Sequence, residues 1–353
     1  MSKLAKLQAK LSEKGLDALI VTNPYNRRYI TGFTGTAGMA IITPQEGIFI
    51  TDFRYTDQAQ EQAKEFKIIE HTQAIELEAK SQLEALQVKN VGFEKFAVTY
   101  AEYERFKNVF PVELVPVEGL IEELRVIKSD EEIQILKEAG KIVDDAFEHI
   151  LSFIKPGVPE IDIANELEFF MRKQGASSSS FDIIVASGYR SALPHGTAST
   201  KKINTGELVT MDFGALYKGY CSDITRTVAV GNISDELMQI YQTVLEAQMI
   251  GVNEIKPGMT GREADALTRD YITSKGYGKY FGHSTGHGIG LEIHEAPTLS
   301  IRSKTVLTPG MVVTVEPGIY ISNTGGCRIE DDIVITKTGN ERLTYASKEL
   351  IYL

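Results

Sequence analysis

Apolar positions in the first third of the chain switch between two periods. Leu4, Leu7 and Leu11 recur at helical spacing on one face, and Gly15 marks the end of that helix. Residues 17–22 carry a continuous apolar run bounded by Asn23-Pro24, the pattern of a buried strand. Further strands are predicted at 39–43, 47–51, 67–70 and 112–117, and helices near 57–66, 74–87 and 100–109. Such alternation indicates a small α/β domain over residues 1–122. Gly32, Gly35 and Gly38 punctuate a threonine-rich loop, readable as a turn cluster or as a loop facing a substrate.

From 123 to 353 the pattern lengthens and repeats. Ser129-Asp130-Glu131 opens a helical stretch that runs to Lys155-Pro156-Gly157, and a second helix ends at Lys173-Gln174-Gly175. The same punctuation returns: Ser234-Asp235-Glu236, then Lys256-Pro257-Gly258, then a helix ending near Ser274-Lys275-Gly276. Serine followed by acids is a helix-start signal, because the hydroxyl caps free N–H groups and the acids complement the helix dipole. Each helix pair precedes a His-Gly step and a strand-turn-strand segment. We read this half as two similar αβ units about a pseudo-two-fold axis, giving an α+β chain overall.

The two strand-turn-strand segments carry acids in apolar, β-prone surroundings. Folding 208–225 about Lys218-Gly219 brings Asp212 close to Asp223. Folding 312–334 about residue 323 brings Glu316 near Glu330. Either pair alone reads equally well as solvated edge-strand acids. Both pairs in matching positions favour a converging cluster, whose mutual repulsion divalent cations would remove; two cations suit four acids better than one.

Five of the six histidines lie in this half: His149 in a helical stretch, His195 in a Leu-Pro-His-Gly step, and His283, His287 and His294 within HSTGHGIGLEIHE (283–295). The glycines argue against a helical zinc pair, and Leu291 to His294 reads as strand rather than as the helix a phosphate loop needs. Three histidines beside four paired acids point to a metal and acid–base site. His71 and His149 have no such company.

Charge and composition narrow the partners. With 353 residues the chain has room for two domains, and its 42% apolar content fills real cores. A net charge of -11 without a basic run argues against nucleic acid or an anionic membrane. No window approaches a membrane span, the N-terminus lacks a signal-peptide core, and two cysteines, Cys221 and Cys327, are too few for a disulfide framework. A cytoplasmic protein is expected. Cys221 is read as a packing residue.

These motifs together resemble a known family. HSTGHGIGLEIHE, Leu-Pro-His-Gly, Met-Asp-Phe-Gly, Ser-Asp-Ile-Thr-Arg-Thr, Val-Glu-Pro-Gly-Ile-Tyr and Arg-Ile-Glu-Asp-Asp occur in the order found in the proline-peptidase branch of the pita-bread metallopeptidases. Residues 1–122 more loosely resemble the creatinase-type N-terminal domain. Thr31-Gly32-Phe33-Thr34-Gly35 and Thr51-Asp52-Phe53-Arg54-Tyr55 look most like compact bacterial aminopeptidases P. The resemblance implies that Asp212, Asp223, His287, Glu316 and Glu330 hold two divalent ions, with Asp223 and Glu330 bridging. It implies manganese, with cobalt or zinc as substitutes; an oxygen-rich donor set also favours a hard ion. It further implies a homodimer.

The expected reaction is cleavage between an N-terminal residue and a following proline, by a hydroxide bridging the two ions. Glu316 would handle the proton, His195 and His294 would donate to the substrate carbonyl or oxyanion, and His283 and Arg328 would position the proline side. Aminopeptidase P is the main expectation, with peptides bearing proline in second position as partners. The alternative is prolidase, restricted to Xaa-Pro dipeptides. A non-catalytic peptide-binding module on the same fold is the remote one.

Overall fold

The structure, a computed structural model, describes residues 1–353. The chain forms two compact units, Met1–Arg125 and Val126–Leu353.

The first unit is built on a six-stranded mixed sheet. Across it the strands run Lys67–Glu70, Gly47–Thr51, Met39–Ile42, Ala18–Val21, Asn90–Glu94 and Glu113–Val117. The central Ala18–Val21 strand pairs antiparallel with Met39–Ile42 and parallel with Asn90–Glu94. All four of its side chains are buried, as a strand covered on both faces requires. Helix Lys3–Lys14 buries Leu4, Leu7 and Leu11, is capped by the Ser2 hydroxyl, and ends where Gly15 turns left-handed at φ 65°. Three elements go beyond the sequence reading. Asn90–Glu94 is a strand, Glu122–Arg125 is a short helix, and Pro24–Thr31 is a helix. Asn23 caps that helix by accepting from the N–H groups of Tyr25 and Asn26, and Pro24 occupies the first position, where its missing N–H costs nothing.

The second unit repeats one order of elements. Helices Asp130–Ile150 and Glu160–Lys173 lead to an antiparallel sheet of Ile184–Ser187, Glu207–Phe213 and Ile224–Val230. Helices Asp235–Glu254 and Gly261–Ser274 lead to a five-stranded sheet centred on Val312–Val315 and Asp331–Ile335. The Ser-Asp-Glu signals act as expected: Ser129 forms a full capping box with Glu132, and Ser234 accepts from Leu237 N–H. Each helix pair packs on its own hairpin. Ile142, Phe147, Leu167 and Met171 join Met211, Phe213 and Val228 in one core. Val252 and Ala264 join Val313, Val315 and Ile333 in another. The hairpins, and with them the acids, are thereby held between layers of buried side chains. No helix is long and apolar enough to cross a membrane.

Candidate metal centre and active site

The first hairpin turns at Lys218 and Gly219, both at positive φ, and its ladder pairs Asp212 with Thr225 and Leu216 with Cys221. Asp223, two residues before Thr225, therefore lies diagonally across from Asp212 on the same face. Asp223 sits in the short break between strands Tyr220–Cys221 and Ile224–Val230, and its N–H donates to Asp332 Oδ2 at 2.9 Å.

The second hairpin turns about Asn323, at φ 63°. Its register holds from Val312↔Val334 and Val315↔Asp331 through Gly318↔Arg328 to Ile321↔Gly325. Glu316 and Glu330 fall in the short gap between the two stretches of ladder, facing each other. Thr225 links the hairpins by donating its hydroxyl to Glu330 Oε2 at 2.6 Å.

His287 comes from strand Gly286–Gly288, where the ladder slips between His287 and Gly288. Its Nε2 lies 3.4 Å from Glu316 Oε1 and 3.8 Å from Asp223 Oδ2. Candidate ligand atoms of Asp223, His287 and Glu330 all lie within 4.8 Å of one another. Asp212 Oδ1, Asp223 Oδ1 and Glu330 Oε1 are buried without a hydrogen-bond partner. Such orphaned acceptors cost roughly 1–3 kcal/mol each, and a bound cation is the partner their geometry suits. Burial pushes the Asp223 and Glu330 carboxyls well above the usual range, and the neighbouring acids push them further. Glu316 is raised to about 8 by burial and by Asp212, against the opposing pull of Arg328. His287 is lowered to about 4, first by burial, so its imidazole is neutral, the form that ligates metal. Four carboxylates and one neutral imidazole suit hard divalent ions, and the residues fit that group.

All nine residues singled out in the sequence line one cavity of about 910 Å³: the five above with His195, His283, His294 and Arg328. Arg328 donates to Asp212 Oδ2 at 2.5 Å, to Thr225 Oγ1 at 3.1 Å and to Pro194 O at 3.1 Å. His283 Nε2 meets the Tyr320 hydroxyl at 2.9 Å, and burial and Arg328 lower its pKa to about 4. His195 and His294 are exposed to the cavity, and the His294 ring lies 4.3 Å from that of His287.

One expectation fails: residues 291–294 are a series of bends rather than a strand, and the strand begins at Glu295. Gly290 turns the chain there, with its N–H donating to Glu292 O at 3.1 Å. The network around the site has no signal in the sequence. Tyr320, Thr225 and Asp332 each hold a site residue, yet a lone tyrosine, threonine or third acid in a strand looks like any core polar residue. Asp331 beside Glu330 is held by Arg226 at 2.7 Å and Lys348 at 2.6 Å. Burial raises the Cys221 thiol to about 12, consistent with a packing role.

Residues 134–337 match the model of metallopeptidase family M24, and residues 3–127 match the creatinase/prolidase N-terminal domain. The chain is 41% identical to the Xaa-Pro dipeptidase of Pyrococcus horikoshii, over 99% of this chain and 98% of that one. It is 62% identical to a solved Xaa-Pro dipeptidase from Bacillus anthracis, with a TM-score of 0.98 and 99% of each chain covered. It is 38% identical to a solved X-Pro aminopeptidase from Thermotoga maritima, with a TM-score of 0.92 over 97% of this chain and 99% of that one. The chain belongs to metallopeptidase family M24, in the pita-bread proline-peptidase branch, with a creatinase-type domain ahead of the peptidase domain.

Proposed function

We propose that this protein hydrolyses Xaa-Pro dipeptides. The observation that carries the reading is the convergence of Asp212, Asp223, His287, Glu316 and Glu330 on one cavity, with three of their carboxylate oxygens buried and unpartnered. Those five residues would hold two divalent ions. When bound, the ions would acidify a water and polarise the scissile carbonyl.

The chain's own groups do the rest. Glu316, beside the candidate ligands, takes a proton from the attacking water and passes it towards the leaving nitrogen. An Xaa-Pro bond has no N–H, so that nitrogen has to be protonated directly. His195 and His294, free to face the cavity, donate to the carbonyl oxygen as negative charge develops. His283 and Arg328, locked by Tyr320 and Asp212, shape the proline side.

The dipeptidase reading draws more support than the aminopeptidase P reading expected from the sequence. Relatives described as Xaa-Pro dipeptidases match at 41% and 62% identity over nearly the whole chain. The aminopeptidase of Thermotoga maritima keeps the second reading in play. Manganese, a homodimer and a cytoplasmic setting belong to the same proposal, manganese because the donor set is mostly oxygen.

The test is to strip metal from the purified protein, restore manganese, cobalt or zinc, and assay a peptide series varying in length and second residue. Metal-dependent cleavage of Xaa-Pro dipeptides with little turnover of longer Xaa-Pro peptides is expected. Comparable kcat/KM for tri- and tetrapeptides would establish the aminopeptidase reading instead, and full activity after thorough chelation would remove both.

A further inference from the structure

Beside the carboxylates lies a buried ion pair with no part in the chemistry above. Lys128 Nζ is 2.6 Å from Glu295 Oε1, and the two side chains are only 2% and 10% exposed. Lys128 immediately precedes the cap of helix Asp130–Ile150, and its N–H donates to Gly310 O at 2.9 Å, so its backbone is fixed. Glu295 follows His294 directly and opens strand Glu295–Leu299. A Cβ at Gly290 would collide with the Glu295 carboxylate and lie 3.1 Å from Lys128 Cε, so the pair fills the space a side chain there would take.

Between Gly290 and Glu295 the chain makes bends without a ladder. The exposed His294 imidazole has no hydrogen bond of its own and rests against the His287 ring. Within the segment Cys221 Sγ meets Leu291 O at 3.9 Å and Gly290 N–H donates to Glu292 O at 3.1 Å, and both ends of the segment are held as well. At one end Cys221 N–H donates to Gly290 O at 2.8 Å; at the other stands the Lys128–Glu295 pair.

We propose that Lys128 is a positioning residue for the reaction: by pairing with Glu295 it fixes where His294 presents its imidazole to the substrate carbonyl. A buried carboxylate follows its cation closely, because separating them leaves a charge uncompensated in a low-dielectric setting. One peptide bond passes that constraint to His294, and a displacement of about 1 Å in a catalytic group can cost about 100-fold in rate. The inference rests on the proposed role of His294 as a donor to the carbonyl oxygen.

The test uses the full chain with manganese restored. Lys128→Met combined with Glu295→Gln removes the pair without leaving a lone buried charge. Lys128→Arg keeps the cation, and Glu295→Gln alone keeps an acceptor for Lys128. For the paired replacement, kcat on an Xaa-Pro dipeptide should fall by about 10-fold or more, with KM within about twofold. Metal content and melting temperature should stay at their original values. Lys128→Arg should recover most of the loss, and Glu295→Gln alone should give an intermediate one.

Placed in a His294→Ala background, the paired replacement should produce no further loss, because the group it positions is gone. Unchanged kcat in the paired variant, or a loss that multiplies fully with that of His294→Ala, would overturn the role of Lys128. Unchanged kcat in His294→Ala alone would overturn the donor role of His294, and this inference with it. The two failures are thus told apart.

Discussion

Thr225 holds Glu330 at two points: its hydroxyl donates to Glu330 Oε2 at 2.6 Å, and its carbonyl accepts the Glu330 N–H at 3.1 Å. A residue of the first hairpin thereby fixes an acid of the second. The same hydroxyl accepts from Arg328 Nε at 3.1 Å. Thr225→Val keeps the volume and removes both side-chain bonds. We expect a stability loss of about 1–3 kcal/mol and about tenfold weaker manganese binding. Thermal unfolding and a metal titration check this, and an unchanged metal affinity would show that the link is dispensable.

Two substitutions probe the chemistry itself. Glu316→Gln keeps the shape and hydrogen-bonding reach of the side chain while removing the proton acceptor, and His294→Ala removes a donor to the carbonyl oxygen. Each should lower kcat by about 10²–10⁴-fold with the fold intact, as read by circular dichroism. Metal content has to be measured alongside for Glu316→Gln, since Glu316 is also a candidate ligand. Near-normal turnover in either variant removes the role given to that residue.

Removing metal should reverse the usual effect of alkali on the acid cluster. In the metal-free fold Glu316 titrates at about 8 instead of its ordinary 4.5, and Asp223 and Glu330 are raised as well. Between those two values these carboxyls hold more protons in the folded chain than in the unfolded one. Their contribution to stability is full below the unfolded pKa and is lost as pH rises through the folded one, while His283 and His287, lowered to about 4, act in the opposite sense only below their ordinary 6.5. Melting curves of chelated protein should drop between about pH 6 and about pH 8, and added manganese should raise the melting temperature more at the higher pH. An equal manganese effect at both ends would mean that the carboxyls are not the groups the ions displace protons from.

Asp331 offers a stability test beside the site. It is fully buried and paired with Arg226 and Lys348, which together outweigh desolvation and keep its carboxyl below the usual range. Lys348→Met should destabilise the protein by about 3 kcal/mol in denaturant unfolding. A change near zero would mean that Arg226, Gln248, Thr344 and Arg342 satisfy the carboxylate without Lys348.

The pairing of the four acids is legible in the sequence from two turns, whereas the ligand set and the roles of His195, His283, His294 and Arg328 come from the resemblance to the family's motifs. The turn centre at 323 follows from the Ser-Asn-Thr-Gly-Gly run, and the ladder from Val312↔Val334 to Ile321↔Gly325 is centred there. Helix starts at Ser129 and Ser234 were readable because capping is local. The misses are of another kind. Asn23-Pro24 marks the end of a strand in the sequence pattern, and a capping residue followed by proline also begins a helix. The strand Asn90–Glu94 has a polar residue at each end and glycine at its centre, and its identity comes from its neighbours in the sheet. Residues 291–294 alternate apolar and polar like a strand, yet Gly290 breaks the run. The roles of Thr225, Tyr320 and Lys128 depend on partners some 100 or more positions away, or on a hairpin's register, and residue type alone does not reveal them.

The turn at Asn323 separates what this hairpin can vary from what it cannot. Adding or removing a residue inside either arm would rotate every later side chain to the opposite face and send Glu316 or Glu330 out of the cavity. Lengthening the loop tip itself leaves both arms in step. The tip is therefore the place where an engineer could graft a reporter or an affinity handle without disturbing the acids at the base of the same hairpin, and the arms are where a frame-preserving deletion would silence the protein.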